Sequence, residues 1–273
     1  MEKIMKRFGL LQEIACKTLQ AAAIASLFFF PVLAKANPAA SGQENEDKWG
    51  FEVGAGGTLS TSEYKGIDNI GSAMPLLGYE GKWLYLRGLN GGVHVFKNEN
   101  HEINVQLSYL AQQFYASWSD DDQMKKLDDR YSSIMAGLNY RFSSSLGTAQ
   151  LSISTDILGV NNGIVADASY AFPLTLGIFT FTPAAGVQWT DQNYNQYYYR
   201  IGKSESRGSG LSEYDPESAF SPYASLTTRI ALTENWTALI SGKALFLGSE
   251  ISDSPMVENS TKFSISAGFM YSF

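Results

Sequence analysis

The sequence predicts an all-β chain, an antiparallel transmembrane β-barrel of twelve strands. Three observations carry this reading. Residues 261–273 alternate, with Phe263, Ile265, Ala267, Phe269, Tyr271 and Phe273 on one face and Lys262, Ser264, Ser266, Gly268, Met270 and Ser272 on the other. A period of two marks a strand with different surroundings on its two sides. Similar segments recur along the chain at about the 9–11 residues that a tilted strand needs to cross a bilayer. The connections between them alternate between short turns and long loops, the asymmetry of bacterial outer-membrane barrels.

The first strand is expected from residue 49, with Phe51, Val53 and Ala55 opposite Glu52, Gly54 and Gly56. Residues 60–72 read as a loop. Residues 73–79, 82–88 and 91–97 are short, weakly patterned candidates. From His101 the signal is strong: Ile103, Val105, Leu107, Tyr109 and Ala111 form one face, then Ile134, Ala136, Leu138, Tyr140 and Phe142. Segments at 149–157, 164–172, 179–189, 222–230 and 236–246 follow. Short turns fall at 97–100, 143–146, 173–177 and 232–235, and long loops at 112–130, 192–221 and 248–260. With the final strand ending on the periplasmic side, the parity works only if residues 82–97 are two strands. The count is then twelve, even as in single-chain bacterial barrels; one strand there would make eleven. Aromatics at segment ends, among them Trp49, Phe142, Trp189, Trp236, Tyr271 and Phe273, suit the girdles at the two water interfaces. Tyr271 and Phe273 are the expected C-terminal signal to a barrel-assembly machinery.

Composition agrees. The 273 residues are 44% hydrophobic and 13% aromatic, with mean hydropathy −0.13. Outward apolar and inward polar residues cancel in such a mean, as a barrel requires. A net charge of −7 without a basic cluster argues against a nucleic-acid partner. The single cysteine, Cys16, lies in an N-terminal segment with the anatomy of a secretory signal: Lys3, Lys6, Arg7 and Lys17, then an apolar run, then Ala34-Lys35-Ala36. The organisation expected is a signal peptide over 1–36, a flexible polar leader over 37–48 and a barrel over 49–273. Without the leader no disulfide or thiolate chemistry remains.

Specific stretches resemble the MipA/OmpV family of outer-membrane proteins, named after the MltA-interacting protein. Tyr197-Tyr-Tyr-Arg-Ile-Gly-Lys-Ser-Glu-Ser-Arg-Gly-Ser-Gly-Leu-Ser-Glu-Tyr-Asp215 is similar to that family's long loop. Asp253-Ser-Pro-Met-Val257 is similar to its Asp-Ser-Pro-hydrophobic motif. Asn162-Gly163 with Ala166-Asp167, and Leu76 to Tyr79, add to the likeness. The resemblance implies an outer-membrane barrel of a Gram-negative bacterium, set among membrane lipid and lipopolysaccharide. For one member it implies a scaffold joining a lytic transglycosylase to a murein synthase. It supplies no catalytic residues.

The residues themselves offer little enzyme chemistry. His94 and His101 are the two histidines, and no serine stands in a Gly-x-Ser-x-Gly elbow; both histidines read as lumen or rim filler. Asp120-Asp-Asp122 with Asp128-Asp129 has carboxylates for Ca²⁺ but lacks an EF-hand's glycine and terminal glutamate. A solvated loop, meeting divalent ions of the lipopolysaccharide if it is extracellular, is the expectation. Ser241-Gly242-Lys243-Ala244 matches part of a phosphate loop but falls within a strand. No cofactor is expected. Tyr197, Tyr198, Tyr199, Lys203, Arg207 and Tyr214 form a basic-aromatic loop. It reads either as a surface for a sugar or anionic partner or as a loop folded over the barrel mouth. The lumen face is expected to carry Glu52, Glu102, Arg141, Asp156, Asp167, Arg229, Lys243 and Lys262. Opposite charges there would pair, since unpaired buried charge is costly, leaving either a salt-bridged interior or a narrow path for small solutes.

Overall fold

The computed structural model describes residues 50–273. The expected signal peptide and leader, and Trp49, lie outside the described residues. The strand segments, in chain order, are β1 (Gly50–Ser60), β2 (Ile70–Glu80), β3 (Leu84–Arg87), β4 (Asn90–Lys97), β5 (His101–Leu110), β6 (Ser133–Ser144), β7 (Gly147–Asp156), β8 (Ile164–Ala171), β9 (Leu174–Leu176), β10 (Phe179–Thr190), β11 (Ala219–Ala231), β12 (Trp236–Phe246) and β13 (Thr261–Ser272). They form one antiparallel sheet that closes on itself, with β13 returning to pair with β1 from Ser60↔Ser264 to Glu52↔Ser272. The Ser272 hydroxyl donates to Glu52 Oε1 at 2.9 Å across that seam.

β8 and β9 are two halves of one stave. Both pair with β10, with Ala171 opposite Ala184 and Leu174 opposite Phe181. Between them the Phe172 N–H still donates to the Pro183 carbonyl at 3.0 Å, and the return bond is missing because Pro183 has no N–H. The barrel therefore has twelve staves, and residues 82–97 do contribute two of them, β3 and β4. Some boundaries differ from expectation. β2 begins at Ile70 and β11 at Ala219, and the stave containing Pro173 runs on to Leu176, so its turn falls at Gly177-Ile178, where Gly177 takes φ +60°. The long loop before β11 contains two short helices, α1 (Gln192–Tyr199) and α2 (Lys203–Ser209). A third, α3 (Ser249–Ser252), lies between β12 and β13.

The faces sort by polarity in the opposite sense to a soluble core. Leu151, Phe263 and Phe269 point outward, each more than half exposed, whereas Asn139, Thr227 and Ser266 point inward and are buried. A folded wall with apolar residues outside and hydroxyls and amides inside suits hydrocarbon around it. Aromatics cluster where β13 ends: Trp236 and Tyr271 at 5.2 Å, Tyr271 and Phe273 at 5.0 Å, Phe51 and Phe273 at 5.6 Å between ring centroids. His101 belongs to this belt, hydrogen-bonded to the Tyr140 hydroxyl at 2.8 Å and packed against Phe142.

At Gly54 the two strands of the seam run too close to admit a side chain. A Cβ there would fall 2.0 Å from the Phe269 carbonyl oxygen across the seam. Gly54→Val is expected to destabilise the closed barrel by about 3 kcal/mol, with loss of the compact form in unheated electrophoresis. Gly242→Ala, where the added carbon meets nothing within 4 Å, should leave the compact form unchanged.

Candidate functional site

Five extracellular connections, residues 61–69, 111–132, 157–163, 191–218 and 247–260, fold together into a lid. Its core is apolar and aromatic: Tyr64, Phe114, Met124, Tyr194, Tyr198, Tyr199, Ile201 and Met256 are all buried. The Asp191 carboxylate starts α1 by accepting from the Tyr194 N–H at 3.0 Å, satisfying one of the donors that a helix start leaves open. Helical spacing then puts Tyr194 and Tyr198 on one face, with their rings 4.8 Å apart. Tyr199 stacks on Tyr64 at 5.7 Å, and Tyr64 leans on Phe114 at 5.0 Å.

Several buried polar groups inside the lid pair with one another, although Gln113 Nε2 has no partner among the described residues. The Gln112 amide donates to Glu63 Oε1 at 2.6 Å, to the Tyr64 hydroxyl at 3.0 Å and to the Tyr199 hydroxyl at 3.2 Å. The Tyr198 hydroxyl donates to the Tyr131 carbonyl at 2.9 Å. Burial pushes the Tyr64, Tyr194 and Tyr199 hydroxyls well above their ordinary range, so they stay protonated. Burial also opposes ionisation of Glu63. The Lys262 ammonium, 3.0 Å away, and the Gln112 amide more than offset it and hold the carboxyl below the usual range. Glu63 to Lys262 ties lid to wall, since Lys262 belongs to β13.

The stretches that suggested the family meet here. The Ser254 hydroxyl donates to the Tyr199 carbonyl at 2.7 Å, and Met256 is fully buried beside it. Gly163 lies against the α1 backbone, where a Cβ would come within 2.8 Å of Tyr194 N and Cα. Of the expected loop-contact residues, Tyr198 and Tyr199 are buried in the lid and Tyr197 and Tyr214 are half-buried. The Tyr214 hydroxyl donates to the Glu250 carbonyl at 3.1 Å. Lys203 and Arg207 are exposed on α2, where Arg207 Nε donates to the Lys203 carbonyl. The geometry thus has the loop folded over the mouth, and its two central tyrosines are not surface anchors.

All eight residues expected on the lumen face have inward register. They do not form one plug. Glu102 and Arg141 sit 3.9 Å apart in a cluster in the periplasmic half. There Arg87 reaches Glu80 and Glu102, each at 3.0 Å, and His94 lies 3.2 Å from Glu80 and bonds Asn104 at 2.7 Å. The Tyr85 ring stacks on His94 and under the Arg87 guanidinium. Glu52 pairs with Arg229 at 3.6 Å. Asp167 accepts from the Tyr223 hydroxyl at 3.0 Å, and Lys243 lies over that ring at 4.1 Å. Asp156 takes the Ser133 hydroxyl and the N–H groups of Leu158, Asn161 and Asn162, fixing the 157–163 loop without a charged partner.

Sequence reasoning missed Glu63, Glu80 and Arg87. Glu80 falls in an expected turn and Arg87 in a weakly patterned segment, so periodicity gives neither a face. Glu63 stands in a loop, where no periodicity distinguishes it. The acidic stretch serves as loop scaffolding: Asp121 accepts from the Gln123 and Met124 N–H groups, and Asp129 from that of Ala116. Among the described residues no group of three acidic, histidine or cysteine side chains is placed to hold a metal.

Closed wall, apolar exterior, polar lumen and folded lid define an outer-membrane β-barrel protein. The family model described as MltA-interacting protein MipA matches residues 53–273, and the chain belongs to that family. It is 35% identical over 223 residues to the "MltA-interacting protein" of Escherichia coli, covering 82% of this chain and 90% of that one. It is 33% identical over 250 residues to the "Putative outer membrane protein YiaT" of the same species, covering 92% and 98%. To "Outer membrane protein OmpV" of Vibrio cholerae it is 28% identical, covering 84% and 88%. Among solved structures, the COG4313 outer membrane channel of Pseudomonas putida aligns with a TM-score of 0.44 at 13% identity, covering 86% of this chain and 99% of that one. The protein resides in the outer membrane of a Gram-negative bacterium.

Glu63 has a folded pKa below its unfolded value, so its contribution is present above the unfolded pKa and is lost as pH falls through the folded one. The lid should resist protease at neutral pH and loosen below about pH 4.5, and Glu63→Gln should remove that dependence; limited proteolysis against pH reads both. Gly163→Ala should loosen the lid at every pH by displacing α1, raising cleavage within residues 191–218 while the barrel stays compact in unheated electrophoresis.

Proposed function

We propose that this protein is a non-enzymatic anchor in the outer membrane that holds a murein lytic transglycosylase, and with it a murein synthase, at the periplasmic rim. The observation that carries the reading is its 35% identity, along nearly the whole barrel, to a protein named for interaction with MltA. The rim supports it. The short turns present Trp83 at 62% exposed and Leu146 at 73% exposed beyond the strand ends. Exposed aromatic and aliphatic anchors on rigid turns are the features that concentrate binding energy at interfaces.

The lid weighs against the narrow-channel reading. Its buried aromatic core spans the extracellular mouth, and the ion cluster around Glu102 crowds the periplasmic half of the lumen. His94 faces Glu80, Glu102 and Asn104, none of them a nucleophile of the serine or cysteine kind, so its surroundings favour a structural part over a hydrolytic one.

Capture of the tagged barrel from intact envelopes after mild cross-linking is expected to recover a lytic transglycosylase. Trp83→Ala should reduce recovery by about tenfold or more, with barrel abundance unchanged. Recovery of no murein enzyme would sink the reading. In planar bilayers the protein is expected to pass no steady current; steady single-channel currents abolished by Lys243→Glu would favour the channel instead.

A further inference from the structure

The wall is interrupted along one side of β2. β2 pairs with β1 along its whole length, from Gly50↔Glu80 to Ser60↔Ile70. On its other side β3 meets only Gly78–Glu80, and the Gly88 N–H adds one bond to the Leu77 carbonyl at 2.8 Å. From Ile70 to Leu76 that edge of β2 has no strand beside it among the described residues. The cause is length: β3 has 4 residues and β4 has 8, against 11 in β2 and 10 in β5. The hairpin turns back at Gly88-Leu89, well below the extracellular end of β2.

The gap is framed on every side. Its sill is the Gly88-Leu89 turn, one side is β2, and the other is the very end of β5, whose Tyr109 N–H still bonds the Leu89 carbonyl at 3.2 Å. Its upper margin is made where two lid loops join: the Asp120 N–H donates to the Gly66 carbonyl at 2.7 Å, the Ser119 hydroxyl to the Lys65 carbonyl at 2.8 Å, and Lys65 pairs with Asp121 at 2.9 Å. Leu77 directs its carbonyl toward the hairpin, and backbone direction alternates along a strand. Gly71, Ala73 and Pro75 therefore turn their backbone groups into the opening. Pro75 has no N–H, so a strand laid on this edge would lose a ladder bond at its centre, the arrangement by which natural edges resist strand addition.

On the outer side of the opening Ala73 and Pro75 are small and exposed. On the inner side Met74 and Leu76 face the lumen and, with Leu239, line a small cavity. With Leu239 they make an apolar strip in an interior rich in hydroxyls, amides and paired charges. We propose that this opening is a lateral portal, and that the acyl chain of an outer-leaflet lipid enters it and lies against Met74 and Leu76. The lid closes the axial route from outside, so the opening joins the lumen to hydrocarbon and admits what hydrocarbon contains. The bare backbone groups of Ala73 and Pro75 border the polar lumen, which supplies the hydrogen bonds that lipid does not.

The test uses the full barrel with Cys16 replaced by serine, reconstituted into phosphatidylcholine vesicles with or without bromine on the acyl chains. A bimane label is placed at Met74→Cys on one side of the opening and, separately, at Ser108→Cys, opposite Asn90 at the hairpin tip, on the other. Leu107→Cys, on the lipid face, and Ser152→Cys, on the lumen side of β7 away from the opening, serve as references. Bromolipid is expected to quench the label at Met74 and Ser108 to an extent comparable with Leu107, and to leave Ser152 unquenched. Labels at Met74 and Ser108 as shielded as that at Ser152 would overturn the proposal. Equal quenching at Ser152 would overturn it too, because lipid would then reach the lumen without a portal. Should Met74→Cys fail to fold, Ser108→Cys alone decides.

Discussion

Backbone pairing without water is the constraint from which the rest of the molecule follows. Inside hydrocarbon an unmet N–H or C=O costs several kcal/mol, so a sheet in that setting must close. The pairing of β13 with β1 performs the closure, and Gly54 lets the two strands of that seam approach. The alternation of side chains follows from the same source, because a closed sheet has one lipid face and one enclosed face. So does the polar interior: Thr58 with Ser266, Ser60 with Ser264, and Thr227 with Ser241 pair their hydroxyls across neighbouring strands.

The lid is a second folding unit with a different logic. It packs Phe114, Met124, Tyr198 and Met256 as a water-soluble domain packs its core, and Gln112 links Glu63 with the Tyr64 and Tyr199 hydroxyls inside it. It is joined to the wall by the short strand ends on which its loops stand and by the Glu63–Lys262 ion pair. The aromatic stretch at 197–199 and the Ser-Pro-Met stretch at 254–256 lie far apart in sequence and close in space. Their likeness to family motifs has a physical content here, since each supplies part of the packing that closes the mouth.

Much of the wall was legible in the sequence because a period of two with a ten-residue length is a strong signal. The faces of β5, β6 and β13 follow directly from it. β3 and β4 were legible only through parity; four residues cannot display a period. The boundary at Pro173 was misplaced because proline usually ends a strand, whereas here the register carries on past it to Leu176. The lid was legible only as one of two alternatives. Tyr197, Tyr198 and Tyr199 suit an exposed binding loop and a buried core equally well, and only their contacts with Tyr64, Phe114 and Tyr131 separate the two. Glu63 and Arg87 were invisible for the same reason: their partners come from other strands and loops.

The seam between β1 and β13 joins residues 220 positions apart, as the Ser272–Glu52 bond shows. Nearly all of the chain must cross the inner membrane before its first stave can find its last. Until then the growing sheet carries two raw margins and a lipid-ready exterior through an aqueous compartment. Contact order this high makes folding slow and the intermediate adhesive. A chain severed or stalled anywhere along its length would keep both margins open, because only the last stave can close the sheet onto the first.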